Sequence, residues 1–165
     1  MSRPAAARSR RPALRLEIPG RRALALRHLL LDLNGTIARD GRLLPAVRRR
    51  LPALAARLEV RVLTADTFGT AAAQLRGLPV ALERIASGAD KARLARALAR
   101  DGVAAVGNGA NDEGMLRAAT LGIAVLGPEG MAAPLAAAAD VWVARPEDAL
   151  DLLLRPGRLA ATLRP

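Results

Sequence analysis

Four short segments carry residue types that could do chemistry together. Leu31-Asp32-Leu33-Asn34-Gly35-Thr36 places a carboxylate just after an apolar run, ahead of a turn able to expose backbone N–H groups to an anion. Taken alone, Asn34-Gly35 between apolar residues is equally a hairpin-turn signal. Leu63-Thr64-Ala65-Asp66 adds a hydroxyl, with Thr64 able to donate to a phosphoryl oxygen and with Asp66 or Thr67 reading as a helix N-cap. Lys91 is the only lysine among 26 basic residues, which points to a site needing a compact ammonium rather than a planar guanidinium. Gly107-Asn108-Gly109-Ala110-Asn111-Asp112-Glu113-Gly114 gathers polar side chains ahead of a helix, with glycines that permit tight turns, and suits a phosphate or a metal ion. Asn111 or Asp112 would also cap that helix, a role compatible with metal binding. The three asparagines of the chain, Asn34, Asn108 and Asn111, all fall in two of these segments. His28, the only histidine, begins its apolar run rather than ending it and reads as structural, so neither a histidine triad nor a histidine metal site can be assembled.

These segments need a scaffold that brings strand ends together. Leu14, Leu16 and Ile18 alternate with Arg15 and Glu17, and after Pro19-Gly20 the alternation resumes at Ala23, predicting a small N-terminal hairpin. Residues 28–33 form the short apolar run expected of a strand buried on both faces. Strands over 60–63, 80–85, 103–106, 123–126 and 141–144 then alternate with helices over 45–58, 67–76, 90–100, 111–119, 131–139 and 146–154. Such alternation predicts an α/β, Rossmann-like three-layer fold with a central parallel sheet. Open parallel sheets bind ligands beyond the carboxyl ends of their strands, and Asp32, Thr64 and Asn108 each follow an apolar strand.

The 165 residues, 52% hydrophobic, suffice for one core and are too few for two ordinary domains. One domain over 14–165 is expected, after a disordered basic tail over 1–13. One Phe, one Trp and no Tyr leave almost no base-stacking surface, which argues against a single-strand nucleic-acid binder. A net charge of +11 attracts anions in principle, but arginine fills every basic position except Lys91, and Ala, Arg, Leu and Gly dominate throughout. That is the mark of compositional bias, and nucleic acid is not the expected partner. The absence of cysteine excludes disulfides and thiolate metal sites. No apolar run approaches the roughly 20 residues of a membrane span and no signal core follows the tail, so a soluble, cytoplasmic protein with no membrane partner is expected.

Asp32-Leu33-Asn34-Gly35-Thr36, Thr64, Lys91 and Gly107-Asn108-Gly109-Ala110-Asn111-Asp112, in that order, resemble the four motifs of the haloacid-dehalogenase (HAD) superfamily over most of residues 28–145. The last motif and its continuation through Gly122-Ile123-Ala124-Val125 to Ala139-Asp140-Val141 look most like the phosphorylation domain of P-type ATPases and their small soluble relatives. The resemblance implies a magnesium-dependent phosphohydrolase or phosphotransferase in which Asp32 attacks phosphorus to form an aspartyl-phosphate. It implies catalytic roles for Asp32, Thr64 and Lys91. It implies phosphate binding by the Leu33 N–H, Asn34, Thr64, Ala65, Lys91 and Asn111, and Mg2+ held by Asp32, the Asn34 carbonyl, Asn108 and Asp112.

The sequence departs from that pattern at two positions. Asn34 stands where many phosphatases of the superfamily carry a second aspartate as general acid and base, and an amide cannot shuttle that proton, so slow turnover is expected. Asn108 stands where the ATPase-like motif has a magnesium-binding aspartate, which weakens the expected metal site. Residues 37–44 allow only a short flap and residues 67–90 are consumed by one helix and one strand, so the domain is expected to be capless. An uncovered site accepts a phosphorylated small molecule or macromolecule, or takes a second copy of the chain as a lid that excludes water. Two other readings stay open: a non-catalytic phosphate-sensing or scaffold module with the same fold, and a nucleic-acid accessory protein acting through the arginine-rich tail.

Overall fold

Strand β1 (Leu14–Leu16) pairs antiparallel with β2 (Leu24–Leu26), the hairpin that the alternation predicts. The computed structural model describes residues 12–165, so the basic tail, but for its last two residues, lies outside the described residues. The chain continues through β3 (His28–Asp32), a tight hairpin of β4 (Ala38–Arg39) and β5 (Arg42–Leu43), α1 (Pro45–Ala55), β6 (Glu59–Thr64), α2 (Ala71–Gln74) and β7 (Ala81–Arg84). Then come α3 (Gly88–Leu98), β8 (Val103–Gly107), α4 (Glu113–Ala118), β9 (Leu121–Val125), α5 (Leu135–Ala138), β10 (Val141–Val143), α6 (Pro146–Leu154) and α7 (Pro156–Leu163).

Six strands form one sheet in the order β10-β9-β8-β3-β6-β7, every pair parallel. The chain builds outward from β3 to β6 and β7, then crosses back to lay β8, β9 and β10 on the other side. The order therefore reverses between β3 and β8, and at such a switch point the loops part and leave a crevice beyond the strand ends. Side-chain alternation divides the core between the two faces of the sheet. Leu29, Leu31, Val62, Val106 and Ile123 join Leu51 and Leu54 of α1 and Leu150 and Leu153 of α6 in one cluster. Leu30, Leu63, Ala105 and Ala124 join Ala95 of α3 and Met115 and Leu116 of α4 in the other. Both aromatic residues face outward, Phe68 and Trp142 each 56% exposed, so the core is aliphatic.

The capless expectation holds: residues 37–44 carry only the β4–β5 hairpin, and residues 67–90 hold α2, β7 and the start of α3. Three helices differ from expectation. The helix expected over 67–76 is a single turn, because Asp66 and Gly69 take positive φ and the chain can become helical only after them. The one expected over 131–139 begins at Leu135, after Pro134. Beyond the last helix expected, over 146–154, Pro156 starts a further helix, α7, since proline at the first helical position loses no intrahelical bond. Leu159 and Leu163 of α7 are buried against the cluster that includes the N-terminal hairpin.

His28 is buried at the amino end of β3, at the opposite end of the strand from Asp32. Its Nδ1 lies 3.4 Å from Glu59 Oε2 and its Nε2 3.9 Å from Asp101 Oδ2. Desolvation holds its pKa below the ordinary value despite the pull of Glu59.

Candidate active site

Asp32 ends β3 and Thr64 ends β6, the strand beside it, while Asn108 follows β8 on the other flank. Their side chains converge in the crevice. The buried polar residues of the described chain are His28 and Asp32, Thr36, Thr64, Lys91, Asn108 and Asp112, so apart from His28 every one belongs to this cluster. Burial of polar groups costs free energy unless they are paired, and these are.

Lys91 sits in the first turn of α3, which Ser87 caps by accepting from the Asp90 N–H. Its ammonium, 3% exposed, donates to Asp32 Oδ1 at 2.6 Å and to Asp112 Oδ1 at 2.7 Å. Asp112 stands at the start of α4 but does not cap it with its side chain. It turns back, and its Oδ2 accepts from the N–H groups of Asn108 and Gly109, both at 3.0 Å. Gly107 makes room for that turn, since a Cβ there would stand 2.5 Å from Asp112 Cγ. The second Asp32 oxygen accepts from Thr36 Oγ1 at 2.7 Å, and the same hydroxyl reaches Asn108 Oδ1 at 3.0 Å.

Desolvation, reinforced by the Asp112 carboxylate, pushes the Asp32 carboxyl up to about 6, with Lys91 and Thr36 pulling the other way. Burial alone would lower the Lys91 pKa, but the two carboxylates outweigh it and hold the ammonium above its ordinary value. One cation thus faces two buried carboxylates, leaving the cluster net negative. In the metal-free protein the Asp32 side-chain carbon should titrate by NMR near pH 6, because burial disfavours the charged form. A midpoint near the ordinary carboxylate value with no metal present would contradict the burial.

Above the cluster opens a polar cavity of about 320 Å3 lined by Asp32, Asn34, Thr64, Lys91, Asn108 and Glu129, with Ala65 and Asn111 at its wall. Thr64 Oγ1 accepts from the Asp66 N–H at 2.9 Å and from Asn34 Nδ2 at 3.5 Å, so its own hydrogen is left for a ligand. The Asp66 carboxylate caps α2 by accepting from the Ala71 N–H at 3.0 Å, compatible with the role expected for Thr64. The backbone corrects one assignment: the Leu33 N–H donates to Leu63 O at 3.2 Å, extending the β3–β6 ladder, and is not free for a phosphoryl oxygen. The N–H groups of Asn34 and Ala65 have no partner among the described residues and are among the donors those two turns offer. Thr36 and Glu129 carried no role in the sequence reading. Thr36 lay within the first motif, and Gly127-Pro128-Glu129-Gly130 follows β9, the same strand-end position that marked the other segments.

Among the described residues no three His, Cys, Asp or Glu side chains gather into a metal cluster of their own. The oxygens of Asp32, Asn108 and Asp112 nevertheless meet around Thr36 and Lys91, and Asn34 Oδ1 is buried without a hydrogen-bond partner. Oxygen-only donors in this number fit a hard divalent cation that keeps waters and shares phosphate oxygens.

No family model matches the chain. The uncharacterized protein MJ0073 of Methanocaldococcus jannaschii is 48% identical over 62 residues, which are 38% of this chain and 67% of that protein. A HAD family hydrolase from Streptomyces avermitilis superposes with a TM-score of 0.61 at 20% identity, covering 79% of this chain and 84% of that one. The 3-deoxy-D-manno-octulosonate 8-phosphate phosphatase of Moraxella catarrhalis, solved with magnesium, phosphate and its sugar, gives 0.64 at 14% identity over 84% and 94%. A zinc-transporting PIB-type ATPase gives 0.59 at 27% identity over 73% of this chain and 20% of that one. The chain thus has the fold of HAD family hydrolases, and P-type ATPase catalytic domains are among its structural neighbours. By sequence it belongs to the family of the uncharacterized M. jannaschii protein.

Proposed function

We propose that this protein is a Mg2+-dependent phosphohydrolase or phosphotransferase that works through a phosphorylated Asp32. The observation that carries the reading is the buried Asp32–Lys91–Asp112 bridge at the floor of a polar cavity. An aliphatic core has no structural need for two carboxylates and an ammonium there, and burying them costs several kcal/mol per ion before pairing.

In the first step an Asp32 oxygen attacks phosphorus, the P–O bond to the leaving group breaks, and the leaving oxygen takes a proton from solvent. In the second, water attacks phosphorus, loses its proton to solvent, and releases inorganic phosphate with the Asp32 carboxylate restored. Thr64 and the N–H groups of Asn34 and Ala65 orient the phosphoryl oxygens, with Asn111 at the rim, while Lys91 balances their charge. Asp32, the Asn34 carbonyl and Asn108, with Asp112 behind them, would hold Mg2+, which when bound neutralises charge on the phosphoryl group. Support for a divalent cation comes also from the Moraxella enzyme, which holds magnesium. The open crevice suits a phosphorylated small molecule or the phosphorylated surface of a macromolecule. No described helix is long and apolar enough to cross a membrane.

Asn34 cannot shuttle a proton, so the second step is the slow one. Incubation with acetyl phosphate and Mg2+ should leave a phosphate adduct on wild type visible by intact mass. Asn34→Asp should clear that adduct and raise phosphate release about 10²-fold. No adduct and no release from either protein, across several donors, would leave only a phosphate-sensing module.

A further inference from the structure

We infer that Glu129 supplies the second negative charge of the cation site, in place of the carboxylate that Asn108 lacks; the inference rests on the metal-dependent reading above. Glu129 and Asp32 are the two carboxylates that line the cavity. Glu129 and Asn108 meet over Gly35, whose φ of +81° admits glycine without strain. The point where a Gly35 Cβ would stand is 2.9 Å from Glu129 Oε2, 2.8 Å from Asn108 Nδ2 and 3.0 Å from Asn108 Oδ1. Asn108 also holds the loop that presents Glu129: its Nδ2 donates to Gly130 O at 2.8 Å, and its carbonyl accepts from the Ala132 N–H at 2.9 Å.

The electrostatics of the chain point the same way. Of the fifteen acidic side chains, Glu129 is the one with neither an ion pair nor a hydrogen bond among the described residues, in a chain carrying a net +11. Lys91 already offsets one of the charges on Asp32 and Asp112, so a divalent cation in the cluster would meet only one net negative charge. Glu129 makes it two. An aspartate at 108 would set its carboxylate against both Glu129 and the Gly130 carbonyl, whereas the amide donates to that carbonyl. The carboxylate has in effect moved from the β8 loop to the β9 loop, at the same mouth of the site.

Binding of Mn2+ to the full chain, followed by loss of the free-ion EPR signal with no phosphate donor present, tests this. Glu129→Gln should weaken the Kd about tenfold or more, the range seen when a supporting ligand group is removed. Glu17→Gln, on the N-terminal hairpin, makes the same change in net charge and should leave the Kd unaltered. Equal affinity of E129Q and wild type, with Asp32→Asn weakened, would overturn the role of Glu129 and leave the metal site standing. So would slower turnover of E129Q at unchanged Kd, which would put Glu129 in proton transfer instead. A wild type that binds no Mn2+ at millimolar concentration would overturn both the inference and the metal-dependent reading.

Discussion

Asp32→Asn is expected to form no phosphate adduct and to lose kcat/KM by about 10⁴-fold or more, because removing a nucleophile leaves only binding and orientation. The loss will not come from unfolding. Burial first, and Asp112 second, raise the Asp32 carboxyl to about 6 from an ordinary 3.8. With the folded value above the unfolded one, the folded protein takes up a proton between those two pH values. That increment to stability is complete below about pH 4 and lost as pH rises through about 6. At pH 7.5 the wild type carries an ionised group that the fold disfavours, and the neutral amide does not. The variant should therefore keep or raise its Tm at pH 7.5, with its advantage shrinking towards pH 4.5. A variant that is inactive and markedly less stable at pH 7.5 would show that Asp32 is there to hold the fold.

Lys91→Met should do the reverse and unfold the protein more readily. It removes the one cation between two carboxylates that are 6% and 0% exposed, and breaking a buried pair from one side costs about 3–5 kcal/mol. Against total stabilities of about 5–15 kcal/mol, that is a large share. Urea denaturation at pH 7.5 measures it, and the double variant D32N/K91M should lose less than the single K91M, since one stranded charge is then gone. A K91M protein as stable as wild type would mean that the ammonium is not inside. Lys91→Arg should not rescue, because a planar guanidinium does not fit where a point charge meets two oxygens at 2.6 and 2.7 Å.

The middle of the central sheet was legible because three of its strands are buried on both faces: Leu29-Leu30-Leu31, Val103 to Val106 and Leu121 to Val125 are apolar throughout, and strand-end loops follow from that. Asp32, Thr64, Lys91, Asn108 and Asp112 converge as their positions at strand and helix ends implied. What escaped depends on hydrogen bonds that no local pattern carries. The Leu33 N–H belongs to a ladder with a strand thirty residues on, so its engagement follows from register and not from its own turn. Thr36 became a partner of Asp32 only once the turn at Gly35 folded back. Helix α7 was missed because Pro156 ends one helix and starts the next, and the two signals are the same residue. Glu129 resembles any exposed acidic loop residue until Asn108 is seen beside it.

The position of β3 between β6 and β8 also shapes how the molecule comes into being. A ribosome delivers β3, β6 and β7 first, and these can pair as they emerge, but the other flank of β3 stays bare until β8 has been made. For that interval Leu29-Leu30-Leu31 lies along an open sheet edge, the kind of edge on which unfinished chains associate with one another. Asp32 and Lys91 are by then synthesised while Asp112 is not, so the charge bridge closes only when the second half of the sheet docks. Nascent chains halted before residue 103 should therefore be the aggregation-prone and chaperone-bound species, and the capacity to be phosphorylated should arrive late and all at once.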